Sequence, residues 1–204
     1  MIRRLVDILV SSLVLVLCVP VFLLVAIAIH LDSPGKAIYR GWRIGKDGRR
    51  FQMLKFRSMV VNADRSGPVV TSKVDSRITR VGRFIRATKL DEFPQFWNVL
   101  AGEMTLIGPR PESPEIVALY TPQQRRVLSV KPGLTGPSQI SCTVDESMAV
   151  LSSEAAEKYY IQHILDRRLA IDAEYIQNRR LLSDLALVGR TLGLILRAFR
   201  RGAV

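Results

Sequence analysis

A proline stands inside a run of 22 uncharged residues, Ile8 to Ile29, near the start of the chain. A straight helix of that length would cross a hydrocarbon core of about 30 Å. Pro20 works against straightness, because it lacks a backbone N–H and its ring crowds the carbonyl of Val16. Basic residues flank the run on both sides: Arg3 and Arg4 before it, then Lys36, Arg40, Arg43, Lys46, Arg49 and Arg50 after it. Orientation in a membrane normally follows an imbalance of such charges, and there is little imbalance here. The expectation is a kinked, re-entrant helix over 1–31 that enters the bilayer and returns, leaving both ends in the cytosol. One alternative is a spanning helix, since membrane helices tolerate proline. Another is a cleaved signal peptide, with Ala26-Ile27-Ala28 as its small-residue site. The run exceeds the ~7–15 apolar residues of a signal peptide, which weighs against cleavage.

The 204 residues carry 30 Lys and Arg against 18 Asp and Glu, a formal charge of +12. That balance suits anionic partners: phosphate ligands, acidic headgroups of inner-leaflet phospholipids, or nucleic acid. Aromatic residues are scattered and do not interleave with the basic ones as a base-stacking platform would, so nucleic acid is not expected. Cys18 lies in the apolar run and Cys142 far from it in sequence, which argues against a disulfide. There is no zinc-ligand spacing, P-loop or dinucleotide fingerprint.

Beyond the break at Asp32-Ser33-Pro34-Gly35, two partly apolar stretches flank Gly45-Lys46-Asp47-Gly48, a hairpin signal. The polar stretch from Asn62 to Ser76 reads as a loop. Apolar spacing predicts a helix over Ser76–Thr88, with Ile78, Val81 and Ile85 on one face. Its arginines at 77, 80, 83 and 86 recur every three residues and therefore spiral around it. A second helix runs from about Asp91 or Phe93 to Leu100, stopped by Gly102. A long helix is expected over Ser153–Arg180, with an acidic start and a basic end. The apolar stretch after Leu185 is short for a span and suits a helix lying in the interface. The fold class expected is α+β, mainly α: a re-entrant membrane helix, surface and amphipathic interfacial helices, and one small β-hairpin. The units are 1–31 membrane-inserted, 32–184 a cytosolic catalytic domain, and 185–204 an interfacial helix.

Leu90-Asp91-Glu92-Phe93-Pro94-Gln95 is the sharpest chemical candidate. It puts two carboxylates at a predicted helix N-terminus in an arginine-rich chain, where dipole and cations favour ionisation. An ionised aspartate can attack phosphorus or bind magnesium; the plain reading is a pair of capping carboxylates. In Gly108-Pro109-Arg110-Pro111-Glu112, two prolines stiffen the backbone around one guanidinium, a rigid mount for a phosphate-binding fork. The plain reading there is a turn whose arginine pairs with Glu112. Lys55 and Arg57 alternate after the hairpin and would share a face on a strand, or simply guard an edge.

These motifs, in this order, resemble the monotopic phosphoglycosyl transferases, the bacterial sugar transferases. The resemblance runs from Arg3-Arg4-x-x-Asp7 through Ser33-Pro34-Gly35, Gly45-Lys46-Asp47-Gly48 and Lys55-Phe56-Arg57-Ser58-Met59. It continues through Arg77-Ile78-Thr79-Arg80-Val81-Gly82-Arg83-Phe84, the Asp91-Glu92 segment to Leu100, Gly108–Glu112, and Lys131-Pro132-Gly133-Leu134-Thr135-Gly136. Each motif is modest; the ordered set is specific, and the length resembles the small, catalytic-core form. The resemblance implies transfer of a phosphosugar from a UDP-sugar to a polyprenol phosphate, undecaprenyl phosphate, with release of UMP, at the cytosolic face of the bacterial inner membrane. It implies that Asp91 is the nucleophile, forming a covalent phosphosugar–aspartyl intermediate, with Glu92 beside it. It also implies Mg2+ held by Asp91, phosphate contacts from Arg86 and Arg110, Pro20 as the membrane kink, and room for a homodimer; Lys55 and Arg57, from their alternation, are expected to bind substrate phosphate with them. The competing classes are a membrane-anchored basic protein that binds acidic lipid or nucleic acid without catalysis, and a polyprenyl-phosphate phosphatase.

The chain departs from the family pattern in two places. Val19 stands where many members have Ser before the membrane proline. Pro137 and Ser141-Cys142-Thr143 replace a Trp and an Asn-Gly-Arg-like stretch, so one phosphate-contacting arginine is missing. Arg167 and Arg168 are the candidates to substitute for it.

Overall fold

The apolar run folds as two helices, α1 (Ile2–Leu17) and α2 (Val19–Asp32), bent by 60° at Cys18. They belong to a computed structural model that describes residues 2–65, 67–72, 74–142 and 151–200. Pro20 lies in the first turn of α2, where its missing N–H leaves no hole in that helix. The missing bond falls on the Val16 carbonyl at the end of α1, and the ladder resumes with Phe22 N–H donating to the Cys18 carbonyl at 2.8 Å. No single described helix is long and apolar enough to cross a membrane, but the bent pair qualifies by length and composition.

The hairpin forms as expected. β1 (Ile38–Ile44) pairs antiparallel with β2 (Arg50–Phe56), Gly41 opposite Met53. Its turn needs positive φ at Asp47 (57°) and Gly48 (76°), conformations that Asp and Gly tolerate best. Then follow α3 (Arg80–Ala87), a 3-10 turn over Leu90–Glu92, α4 (Gln95–Ala101) and β3 (Thr105–Ile107). After α5 (Pro114–Ala118) and a 3-10 stretch at Gln124–Ser129 come β4 (Gly133–Thr135) and α6 (Pro137–Ser141). The chain ends in α7 (Ser153–Tyr159), a π turn over Tyr160–Ile164, α8 (Leu165–Gln177) and α9 (Leu181–Arg200).

Four expectations are corrected. The helix expected from Ser76 starts only at Arg80, because the Thr79 hydroxyl caps it by accepting from Gly82 N–H at 3.0 Å. Ile78 instead bridges to Met59. The helix expected over Ser153–Arg180 is interrupted by the π turn and stops at Gln177. The terminal helix begins at Leu181 rather than Leu185, and its Asp184 and Leu187 are buried against the body; residues 201–204 of the expected unit lie outside the described residues. A second sheet, unforeseen, pairs β3 with β4 in parallel, Thr105 opposite Gly133. A Cβ on Gly133 would stand 2.1 Å from the Gly108 nitrogen, and one on Gly136 would stand 2.1 Å from the Gly108 oxygen, so only glycine lets these loops close.

β2 packs through both of its faces. Phe51 and Met53 meet Val99 and Met104, while Phe56 joins Val25, Ile29 and Ile85 beneath α2 and α3. Both ends of the bent pair are bound to this same body. At the start, Asp7 accepts from the Thr105 hydroxyl (2.9 Å) and Leu106 N–H (3.0 Å). Arg4 donates to the carbonyls of Val99 (2.5 Å) and Leu100 (2.7 Å), satisfying groups that the end of α4 leaves open. At the finish, Asp32 accepts from Val81 N–H at 2.9 Å. Between these anchors Leu9, Leu13, Val16, Leu17, Leu23, Leu24 and Ile27 are exposed, and Leu31 is 84 % exposed.

Candidate active site

The Asp91–Glu92 turn is held between two helices. Before it, the Thr88 hydroxyl closes the end of α3 by donating to the Phe84 carbonyl at 2.9 Å, and Lys89 takes a left-handed φ of 61°. That conformation costs a non-glycine residue about 1–2 kcal/mol. It turns the chain sharply, so the 3-10 turn starts against β2. Behind it, Asn98 pins α4 to the hairpin. Its Oδ1 accepts from Leu54 N–H (2.9 Å), and its Nδ2 donates to Gln52 O (2.8 Å) and to Glu103 (2.7 Å). This clamp sets the neighbouring strand residue, Lys55, opposite the turn, where Nζ donates to Glu92 Oε1 at 3.1 Å.

The two carboxylates differ in environment. Asp91 is 7 % exposed, and its Oδ1 is buried with no hydrogen-bond partner among the described residues. Burial pushes its carboxyl above the usual range; Lys55 pulls the other way and Glu92 reinforces the rise. Burial acts in the same sense on Glu92 but is outweighed by Lys55, Lys89 and Arg110, which hold that carboxyl low. Burial also lowers Lys55, with Glu92 and Asp91 opposing. Neighbouring carboxylates whose proton affinities are driven apart are suited to different roles.

Two arginines complete the cluster. Arg86, near the end of α3, is pulled down by burial, and Asp91 is the foremost charge holding it up. On Arg110 burial acts downward, but Glu112, Glu92, Tyr160 and Asp91 together raise it. Its Nε lies 3.9 Å from Glu112 Oε1. Lys55, Glu92, Gln95, Arg110 and Gln139 line a cavity of ≈ 10 Å³, about the room one water needs. A wider cleft of ≈ 630 Å³ lies between α2 and α3, lined by Leu31, Asp32, Arg80 and Phe84, and includes neither carboxylate.

Arg57 does not join this group. β2 ends at Phe56, so strand alternation never reaches Arg57. Its buried guanidinium instead donates to the backbone carbonyls of Ser33 (2.8 Å), Pro34 and Gly35 (3.4 Å), fastening the segment that leaves α2. Pro20, by contrast, is close to the site through its neighbour. The Phe22 ring meets Phe56 edge-on at 5.4 Å and Phe93 at 6.4 Å, so the carboxylate turn sits over the bend of the apolar pair.

The pattern of the family described as bacterial sugar transferase matches residues 1–198. The chain belongs to the bacterial sugar transferase family. A UDP-glucose:undecaprenyl-phosphate glucose-1-phosphate transferase of Klebsiella pneumoniae is 36% identical over 197 residues, 93% of this chain but 39% of its own length. A protein of the same description from Caulobacter vibrioides is 36% identical over 193 residues, covering 93% of this chain and 68% of its own. The exopolysaccharide production protein ExoY of Sinorhizobium fredii is 36% identical over 205 residues, at 93% and 83%. The chain thus spans about two fifths of the Klebsiella relative and most of the Sinorhizobium one.

No group of three or more His, Cys, Asp or Glu that could hold a metal occurs among the described residues. Mg2+ does not require one, because it keeps several waters and binds through one or two carboxylates plus substrate phosphates. The unpartnered Oδ1 of Asp91 fits that role, whereas Glu92 Oε1 is taken by Lys55.

Of the two candidate substitute arginines, Arg167 is exposed, while Arg168 turns inward. It donates to Cys142 O (3.3 Å) and Tyr160 Oη (3.4 Å), and its guanidinium stands 5.5 Å from the centre of the Tyr160 ring. Thr143 of the departing stretch lies outside the described residues. Sequence reasoning missed Asp172, which is buried on α8 and accepts from Ser138 Oγ at 2.9 Å and Ser138 N–H at 3.3 Å. Burial raises its carboxyl to about 6, against the bonds from Ser138. A signal was present: Leu165, Leu169, Asp172 and Tyr175 form one apolar stripe with a single acid in it.

Proposed function

We propose that this chain transfers a phosphosugar from a UDP-sugar to undecaprenyl phosphate at the cytosolic face of a bacterial membrane, releasing UMP. The observation that carries the reading is a cation-ringed carboxylate pair seated over the bend of an exposed apolar helix pair. The names of the relatives support the substrate classes.

The bent pair is re-entrant in this reading. A segment whose two ends are hydrogen-bonded to one folded body cannot deliver them to opposite faces of a ~30 Å core. Asp91 acts as nucleophile. Its carboxylate oxygen attacks the β-phosphorus, the bond to the bridging oxygen breaks, and UMP leaves with that oxygen. An oxygen of the lipid phosphate then attacks the same phosphorus and frees Asp91. Lys55 holds Glu92 ionised and in place, while Arg86 and Arg110 offset charge on the transferring group. When bound at Asp91, Mg2+ would neutralise charge on the diphosphate. Because the cavity holds about one water, the donor must open it on entry.

Purified chain in lipid nanodiscs, given Mg2+, undecaprenyl phosphate and a panel of UDP-sugars, should release UMP with at least one of them. Asp91→Asn should abolish release, and mass spectrometry of the wild type should find a phosphosugar on Asp91. Undiminished release by Asp91→Asn would sink the covalent reading.

A further inference from the structure

The helical stretch from α7 through the π turn to α8 is not regular where it passes the Pro-Arg-Pro loop. On an ordinary α-helix, residues eight apart are rotated by about 80°. A π turn has about 4.4 residues, so one π turn followed by one α turn takes about eight and brings such a pair back to one face. The π turn at Tyr160–Ile164 does this for Tyr160 and Arg168, and their side chains meet. Tyr160 is buried, and its hydroxyl donates to Glu112 Oε1 at 2.6 Å. That same oxygen faces Arg110 Nε at 3.9 Å. The Glu112 carbonyl is in turn held by Ile44 N–H at 3.0 Å. No hydrogen bond from the terminal nitrogens of Arg110 to another described residue is present, and Arg110 lines the cavity beside Glu92.

We propose that Tyr160 is a positioning residue for Arg110: its hydroxyl fixes the Glu112 carboxylate that holds the Nε side of the guanidinium, leaving the outer fork free for the substrate diphosphate. This rests on Arg110 being a phosphate contact, as in the function proposed above. The prolines at 109 and 111 stiffen the backbone of the loop but leave the long arginine side chain free to rotate. A carboxylate locked from behind removes that freedom before substrate arrives, which is where pre-organisation gains affinity. Arg168 restrains the ring of Tyr160 through its face and its hydroxyl. Burial and the adjacent Glu112 raise the phenol, so the hydroxyl stays protonated and remains a donor at neutral pH.

The probe is UDP, which carries the diphosphate whatever sugar the enzyme prefers. Its affinity is measured by titration calorimetry on the full chain in nanodiscs with Mg2+. Tyr160→Phe deletes one hydroxyl and should weaken UDP about tenfold, the usual effect of losing a hydrogen bond to a charged group. Glu112→Gln keeps an acceptor for Tyr160 but loses the attraction for Arg110, and should weaken UDP to a similar degree. In an Arg110→Ala background, Tyr160→Phe should change affinity by less than about twofold, since coupled residues are not additive. A tenfold effect of Tyr160→Phe that persists without Arg110, or none in the wild type while Arg110→Ala is impaired, overturns the inference alone. Unchanged UDP affinity in Arg110→Ala removes Arg110 as a phosphate contact, and both ideas fall together.

Discussion

Asp91 and Glu92 are adjacent in sequence, yet the fold assigns them opposite environments. The chain announces them, because two acids precede a proline amid basic residues. What it does not announce is that Lys55, 37 positions earlier, pairs with Glu92 and leaves one oxygen of Asp91 unengaged. That division depends on Asn98 pinning α4 to β2, a contact no periodicity encodes. It can be tested by removing the cation. Glu92 is held below its ordinary proton affinity, so its ionisation favours the folded state above about pH 4.5, and this contribution fades as the pH falls through its lowered value. Lys55→Met leaves the partly buried carboxylate unpaired and should destabilise the protein by about 1–3 kcal/mol at pH 7. The deficit should shrink toward pH 4, as Glu92 in the variant takes up a proton. Urea unfolding at the two pH values measures it; a deficit independent of pH would mean that Lys55 stabilises by packing alone.

At the scale of elements, the hairpin was legible because Asp-Gly between apolar stretches specifies a turn locally. The β3–β4 pair was not, because three-residue strands carry too little pattern and their pairing depends on distant glycines that let the loops close. The stretch from α7 to α8 lies between these cases. Its buried positions run Ala156, Tyr160, Leu165, Leu169, Asp172 and Tyr175. Steps of three and four are ordinary, but the step of five from Tyr160 to Leu165 is the mark of an extra residue in one turn. Read as one α-helix, that step is hidden by the favourable charges at either end. An alanine inserted after the exposed Gln162 adds a residue that the π turn does not absorb and should rotate Tyr160 by about 100° relative to Leu165. Helical content by circular dichroism should hold, while UMP release should fall at least tenfold as Tyr160 loses Glu112. Wild-type turnover in the insertion would show that the register of Tyr160 has no part in the site.

For the whole molecule, the governing fact is where the two ends of the apolar pair are fastened. Composition showed an apolar run and a proline; it could not show that Asp7 reaches Thr105 and Leu106 while Asp32 reaches Val81. Those contacts join positions roughly 50 to 100 apart in the chain, beyond any local rule. They place the carboxylate turn over the bend through Phe22 and Phe93, so a lipid phosphate at the membrane surface and a soluble nucleotide could meet at Asp91. The same geometry makes sidedness testable. In a Cys18→Ser, Cys142→Ala background, single cysteines at Ile2 and Lys36 report the two ends. In intact spheroplasts neither should react with an impermeant maleimide added outside, and both should react once the membrane is opened. A third cysteine at Leu17 should stay protected in both cases if the bend flanked by exposed Leu17 and Val19 enters lipid, as the proposed re-entrant reading requires. Labelling of Ile2→Cys from outside with Lys36→Cys protected would mean that the segment spans. The bonds from Asp7 to Thr105 and from Asp32 to Val81 could not then coexist, and the site would lose the floor on which Phe93 rests.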